Sequence, residues 1–487
     1  MTKTLLAIDQ GTTSSRAIRF SADGVPLQTA QQEFPQIYPQ PGWVEHDADS
    51  IWATTVTVTR DVIGDDYPAA IGITNQRETI VIWDRTSGAP IHNVIVWQDR
   101  RTADLCAAMK ADGVEPLVQS KTGLLLDPYF SATKIKWLLD TVPGARDRAA
   151  KGELAAGTID SFLLWRLTGG KVHATDWTNA GRTMLYDIHR RQWDAELLRL
   201  FDIPEGLLPD VHPNTHHFGD TDPALFGTAI PILGIAGDQQ AALIGQACFS
   251  PGMVKSTYGT GCFMLMNTGT QALASTHRLL TTPAYEIGND RAYALEGSIF
   301  VAGAAVKWLR DKLCLVDSAE ETETLARAAR DDHGITVIPA FVGLGAPHWR
   351  PDLRGSVHGL TLDTTAADLV RATLESIAFQ TRDLTDAISA DGASKPAALR
   401  IDGGMAQNSW FAQFLSNVLD TPVEMPASHE TTALGAATLA GVGCGLFADA
   451  ADFGARGRAA ARWEPQASET VARLAEWHRM VARALAD

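Results

Sequence analysis

Thr4-Leu5-Leu6-Ala7-Ile8-Asp9-Gln10-Gly11-Thr12-Thr13-Ser14-Ser15-Arg16-Ala17-Ile18-Arg19-Phe20 is an apolar run that stops at an acid, then a tip of Gly, Thr and Ser, then a second run of alternating character. That order predicts a hairpin with a Gly- and hydroxyl-rich tip. The same device returns further along. Ile232-Leu233-Gly234-Ile235-Ala236-Gly237-Asp238 is again a strand running into an acid, and strand-like runs flank a tight Gly259-Thr260-Gly261 turn. Residues 69–74 and 93–97 read as further buried strands, and residues 398–401 as a strand entering Asp402-Gly403-Gly404. Helical spacing marks residues 102–110, 160–167, much of 365–391, and 408–419. The second half therefore replays the first. Two α/β domains of related topology are expected, residues 1–247 and 248–487, meeting at a hinge because no low-complexity linker separates them. Such joins often host ligands.

The chain has 487 residues, enough for about two to four domains at roughly 100–200 residues each. A hydrophobic fraction of 45% and a charged fraction of 20% exclude disorder, collagen and coiled coil as whole-chain readings. Lys plus Arg total 41 against 57 Asp plus Glu, a net charge of −16. That balance repels nucleic-acid backbones and anionic membranes, so neither partner is expected; a nucleotide ligand stays open, because backbone N–H groups can hold a phosphate. Cys106, Cys248, Cys262, Cys314 and Cys444 are scattered and form no C-x-x-C pair, which points to free thiols in a reducing compartment and against zinc. Four apolar residues before Asp9 are too few for a signal peptide. The uncharged run 431–447 is rich in Ala, Gly and Thr and reads as a closely packed internal helix, since a membrane span needs about 20 apolar residues. A cytoplasmic protein without membrane insertion is expected.

Four stretches could carry chemistry. Asp9 to Arg16 combines backbone N–H groups at a Gly turn, hydroxyl donors, a cation and an acid suited to a hydrated hard cation; that is a phosphate and Mg²⁺ cradle, or else a polar hairpin with solvated hydroxyls. Ser256-Thr257-Tyr258-Gly259-Thr260-Gly261 is a second phosphate loop or an ordinary turn. Asp402-Gly403-Gly404 followed by Asn408 allows a flat ligand to approach the backbone, or simply joins a strand to a helix. Arg77-Glu78, Trp97, Tyr129, Asp238-Gln239 and Phe263 would together make a pocket for a small polyol, carboxylates accepting O–H groups and aromatics covering the C–H face. Read separately, Trp97 and Phe263 are plausible core residues and Arg77-Glu78 a surface pair. No G-x-x-x-x-G-K-[ST] loop, H-R-D loop or D-F-G occurs, so neither a P-loop nor a protein-kinase fold is supported. His212 to His217 lacks helical spacing and nearby Cys, and reads as a loop.

Taken together, these motifs resemble the glycerol-phosphorylating members of the FGGY carbohydrate kinase family, within the actin- and hexokinase-like ATPase superfamily. The resemblance runs from about residue 5 to residue 445. It rests on Asp9 to Arg16, Pro41-Gly42-Trp43-Val44-Glu45-His46, Gly72 to Thr79, Asp127-Pro128-Tyr129-Phe130-Ser131, Gly237 to Leu243, Tyr258 to Phe263 and Asp402-Gly403-Gly404. It implies two actin/ribonuclease-H-like domains around an interdomain cleft, with ATP/ADP and Mg²⁺ on one side and glycerol at the bottom. By position, Arg77, Glu78, Tyr129, Asp238 and Gln239 would bind glycerol, with Trp97 and Phe263 as an apolar wall. Thr13, Ser14, Ser15, Arg16, Thr260, Gly303, Gly404 and Asn408 would bind the nucleotide, and Asp9 with Asp238 would hold Mg²⁺ through water. Asp238 would act as general base in direct in-line phosphoryl transfer, and a homodimer or homotetramer is expected.

Four features depart from the family pattern. Lys307 stands where a relative has Gln, so no hydrogen-bonding amide is carried over there. The stretch Asp222-Pro223-Ala224-Leu225-Phe226-Gly227-Thr228-Ala229, matching a bisphosphate-binding loop of some bacterial members, has no cation; fructose 1,6-bisphosphate regulation is expected to be absent or weak. No His lies in residues 219–234, so control by His phosphorylation is not expected, and the tail 465–487 does not match a transport-control tail. Other FGGY polyol or sugar kinases, such as those for erythritol or xylulose, are the alternative among enzymes. Nucleotide-switched filaments and chaperones are the alternative outside them, though they have no need of Arg77-Glu78 and Asp238-Gln239 converging with three aromatics.

Overall fold

A computed structural model describes residues 3–64, 66–393, 395–450, 452, 459–466 and 470–486. Strand Thr4–Gln10 pairs antiparallel with Ser14–Ser21, which pairs antiparallel with Pro26–Glu33. On its other edge Thr4–Gln10 runs parallel to Ala70–Asn75, itself parallel to Ile232–Gly237. The parallel strands are buried along nearly their whole length, as strands covered on both faces must be. The second sheet repeats this order. Val254–Tyr258 pairs antiparallel with Cys262–Gly269, which pairs antiparallel with Asp290–Ile299. On its other edge Val254–Tyr258 runs parallel to Leu399–Asp402, which runs parallel to Val423–Pro426. Strands Leu280–Ile287 and Ala459–Trp463 extend the two edges. The expected α/β class and the duplicated topology are both present.

The helix that closes each unit is exchanged. Asp238–Gly245 leaves the first sheet at Gly237, yet its Ala241, Leu243 and Ile244 share a core with Leu265, Ala284 and Ala292 of the second. Thr431–Gly443 follows strand Val423–Pro426 of the second sheet, yet Ala433, Ala436 and Ala440 pack with Leu5, Ala7, Phe20 and Ala70 of the first. The two helices cross at backbone distance. This is why residues 431–447 are so rich in Gly and Ala: a Cβ on Gly435 would stand 1.9 Å from the Ala241 carbonyl oxygen.

Smaller differences concern ends. The strand expected over 93–97 is only Val94–Ile95. The helix expected over 431–447 stops at Gly443, and Asn408 lies just outside the helix Ser409–Leu419, capping it by accepting the Phe411 N–H at 2.9 Å. All five cysteines are free, three of them buried. Among the described residues no helix is long and apolar enough to cross a membrane.

Candidate active site

Strand ends from both units meet at one cleft of about 1200 Å³. Its lining includes Arg77, Glu78, Trp97, Tyr129, Asp238, Gln239 and Phe263, the seven residues singled out for a polyol pocket, together with Thr13 and Thr260. The aromatics form a continuous wall: Trp97 meets Tyr129 edge-on at 5.5 Å and Phe263 at 6.1 Å between centroids. The Trp97 indole N–H donates to the Thr12 hydroxyl at 2.9 Å, which ties this wall to the first hairpin tip.

Asp238 opens its helix at the end of a buried strand, so its carboxylate points into the cleft mouth and keeps 32% of its side-chain exposure. Oδ1 accepts the Gln239 N–H at 2.7 Å and faces Arg77 Nε at 3.1 Å. Gln239 is buried, and its amide oxygen accepts from Lys255 Nζ. Burial pushes the Lys255 ammonium down, opposed by Asp402 and Asp238.

Arg77 and Glu78 are both buried in a loop after strand Ala70–Asn75. Glu78 has φ of 61°, a conformation a non-glycine residue holds only when its surroundings impose it. Here Ser131 Oγ donates to the Glu78 carbonyl at 3.0 Å, and the buried Lys134 ammonium donates to the Tyr129 carbonyl at 2.6 Å. Burial raises the Glu78 carboxyl above its ordinary range, with Arg182 and Arg77 opposing. The Tyr129 hydroxyl is likewise held far above its usual range by burial.

Two turns present unused backbone donors. Among the described residues, the amides of Thr12 and Thr13, and those of Gly259, Thr260 and Gly261, donate to nothing. The carbonyls of Gly259 and Thr260 are occupied instead by the Gly303 and Ala302 amides at 2.9 Å each. Gly303 thus fixes the second turn from behind; a Cβ there would lie 2.5 Å from the Gly259 oxygen. Gly403, at φ +88°, packs its backbone on Tyr258, while Gly404 faces open space.

The other expected nucleotide residues do not line the cleft with their side chains. Ser14 Oγ accepts from Gln31 at 2.9 Å, and Ser15 turns inward to Thr54 and Thr55 at 2.9 and 3.2 Å. As consecutive strand residues they point to opposite faces of the sheet, Ser15 toward the helix Ala48–Ile63 and Ser14 toward Gln31 of the neighbouring strand Pro26–Glu33. Arg16 pairs with Glu430, and the Asn408 side chain is engaged in its cap and with Thr322 at 3.2 Å. The Asp9 carboxylate, one residue before the strand end, has no hydrogen-bond or ion-pair partner among the described residues. Burial lifts its carboxyl to about 7; Arg16 opposes this, and the nearby charges of Asp238 and Glu430 add to it.

A family model described as the FGGY family of carbohydrate kinases, N-terminal domain, matches residues 4–245, and its C-terminal counterpart matches residues 254–444. The chain belongs to the FGGY family of carbohydrate kinases. The chain is 58% identical over 475 residues to a protein named glycerol kinase from Ectopseudomonas mendocina, covering 96% of each. It is 58% identical over 458 residues to glycerol kinase 1 of Pseudomonas aeruginosa, covering 93% of this chain and 92% of that one. A crystal structure of Plasmodium falciparum glycerol kinase with ADP superposes with a TM-score of 0.93 at 37% identity, covering 99% of this chain and 98% of that one. A xylulose kinase from Lactobacillus acidophilus shares the fold at a TM-score of 0.88 and 21% identity, covering 99% of this chain and 97% of that one. The fold is thus the two-domain, actin- and hexokinase-like arrangement of this family.

Four residues against this FGGY site escaped the sequence reading: Arg182, Lys255, Glu296 and Lys134, all buried. The signal was a lone charge in an apolar or small-residue segment, as in Ala294-Leu295-Glu296-Gly297, because such charges are buried only when paired.

Proposed function

We propose that this chain is an ATP-dependent kinase that phosphorylates glycerol to sn-glycerol 3-phosphate, the first step of glycerol catabolism in the cytoplasm. The observation that carries the reading is the meeting of Asp238, Arg77, Glu78 and the Trp97–Tyr129–Phe263 wall on one cleft flanked by two turns with free amides. The 58% identity to curated glycerol kinases supports it.

In this reading Asp238 takes the proton of a primary hydroxyl, and the freed oxygen attacks the γ-phosphoryl of ATP in line. The carboxylate oxygen of Glu78 not engaged by Arg182, the Arg77 Nε–H, the Tyr129 hydroxyl and Gln239 hold the hydroxyls, while Trp97 and Phe263 cover the carbon chain. Amides of the 12–13 and 259–261 turns cradle the β- and γ-phosphates, with Thr13 and Thr260 beside them. Ser14, Ser15 and Arg16 contribute through the hairpin that carries the first turn, and Gly303, Gly404 and Asn408 shape the nucleotide's bed from the second unit. Positioning and electrostatics carry most of the rate in such transfers. Mg²⁺ fits here: Asp9 is unpaired and lifted by burial and by its acidic neighbours, a strain a divalent cation would relieve. Asp9 and Asp238 would hold it through water, and when bound it would neutralise phosphate charge.

The working unit is two lobes, 1–247 and 248–487, assembled as a homodimer or homotetramer. Fructose 1,6-bisphosphate control is absent or weak, because residues 222–229 offer no cation. The test is ATP-dependent phosphate transfer to glycerol against dihydroxyacetone, glyceraldehyde, erythritol and xylulose. Glycerol should be preferred; turnover of ATP without glycerol, or preference for a pentulose, would reject the reading.

A further inference from the structure

The glycerol wall is organised by one carboxylate from the opposite unit. Glu296 lies on strand Asp290–Ile299 of the second sheet, paired in register with Leu265, and is fully buried. It receives two guanidinium groups. Arg77 donates from Nη1 to Oε2 at 2.7 Å and from Nη2 to Oε1 at 3.1 Å. Arg182 donates from Nη2 to Oε1 at 2.9 Å. Arg182 in turn donates from Nε to Glu78 Oε1 at 2.6 Å and lies 5.6 Å from the centre of the Tyr129 ring. Three residues that line the cleft, Arg77, Glu78 and Tyr129, are therefore held by groups that converge on Glu296.

The charge balance shows what the carboxylate does. Glu78 and Glu296 match Arg77 and Arg182, and Asp238 touches this set only through Arg77 Nε, at 3.1 Å. A guanidinium carries five N–H donors in a planar fork, and its terminal pair can clasp a carboxylate bidentately. Glu296 occupies that terminal pair. Without its charge, two buried guanidinium groups would be left facing each other, and the fork of Arg77 could turn to clasp Asp238.

We infer that Glu296 is a positioning residue for glycerol phosphorylation: it holds Arg77 and, through Arg182, Glu78 and Tyr129 in the geometry that binds glycerol, and keeps the Arg77 fork away from Asp238. The inference rests on the glycerol reading above. It makes the alcohol site a product of both units, since its organiser comes from the second sheet while the residues it holds come from the first half of the chain.

The test uses the full-length enzyme in steady state, with Glu296→Gln, Arg77→Gln and the double variant. Glu296→Gln is expected to raise the KM for glycerol about 10- to 100-fold and to lower kcat, while the KM for ATP stays within about twofold. Because Glu296 acts partly through Arg77, the loss of kcat/KM for glycerol in the double variant should fall clearly short of the product of the two single losses. A role confined to folding would lower the active fraction and leave both KM values unchanged. An unchanged glycerol KM, an equal rise in the ATP KM, or losses that multiply in the double variant would overturn the inference. Should Glu296→Gln fail to fold, the charge-balanced Glu296→Gln/Arg182→Gln variant carries the same expectation, and a wild-type glycerol KM in it would refute the role. Failure of the wild-type enzyme to phosphorylate glycerol is a separate result that sinks the functional reading and this inference with it.

Discussion

Replacing Gly435 by Ala adds one methyl group where the two exchanged helices cross. An ideal Cβ at Gly435 stands 1.9 Å from the Ala241 carbonyl oxygen and 2.6 Å from its carbon. The reciprocal glycine, Gly245, would meet the Thr431 oxygen at the same 1.9 Å. Ordinary contact begins near 3.4 Å, so Gly435→Ala must part the backbones by about 1.5 Å. Neither side can yield by a rotamer change, because both obstacles are main chain. Overpacking of this kind costs about 1–3 kcal/mol, and alanine in a helix interior returns up to about 1 kcal/mol. A net loss of about 1–2 kcal/mol lowers the melting temperature by roughly 2–8 °C in a unit of this size. The larger effect falls on activity. Asp238 begins the helix that carries Ala241, so the displaced helix takes its carboxylate with it, and misplacement by about 1 Å can cost about 10²-fold in rate. Thermal melting by circular dichroism and ADP release in a coupled assay measure the two effects. Gly206→Ala is the control, since nothing lies within 4 Å of a Cβ there. If Gly435→Ala keeps both the melting temperature and kcat of the parent, the close crossing is not what sets the cleft.

Two further outcomes are expected. Burial drives the His46 imidazole down to about 4, and Nε2–H donates to Gln36 Oε1 at 2.8 Å. The unfolded chain takes a proton below about 6.5 and the folded one does not, so stability should fall as pH drops from about 6.5 to 4, by up to about 3 kcal/mol from this group. His46→Gln should flatten that acid-side decline in melting temperature, whereas an unchanged slope would contradict the assignment. Burial also pushes the thiols of Cys106, Cys248 and Cys262 up to about 12, while Cys314 is exposed. An aromatic disulfide reagent should find one fast thiol in the native protein, lost in Cys314→Ser, and the three buried thiols only after unfolding; rapid native labelling of Cys262 would count against the packing described.

The strands and turns were legible because their signal is local. Apolar runs ending at Asp9 and Asp238, and Gly-Thr tips between runs, need no knowledge of the partner. The pocket residues Arg77, Glu78, Trp97, Tyr129, Asp238, Gln239 and Phe263 could be gathered only through the family resemblance, since no spacing joins residue 77 to residue 263. What holds them was not legible. Glu296 meets Arg77 across 219 positions and Arg182 across 114, and pairings that distant leave no periodic trace. The exchange of the two closing helices was hidden for the same reason; the glycines of residues 431–447 announced close packing but not against which sheet. Side-chain direction was the other gap. Ser14, Ser15 and Arg16 read alike as phosphate donors, yet Gln31, Thr54 and Glu430 draw them elsewhere.

The most direct test of the account is kcat for glycerol phosphorylation in Asp238→Ala, measured at saturating ATP beside the parent enzyme. A fall of at least about 10²-fold is predicted, the low end for removing a general base. Turnover close to that of the parent would mean the proton leaves by another route, and the assignment of Asp238 would be wrong.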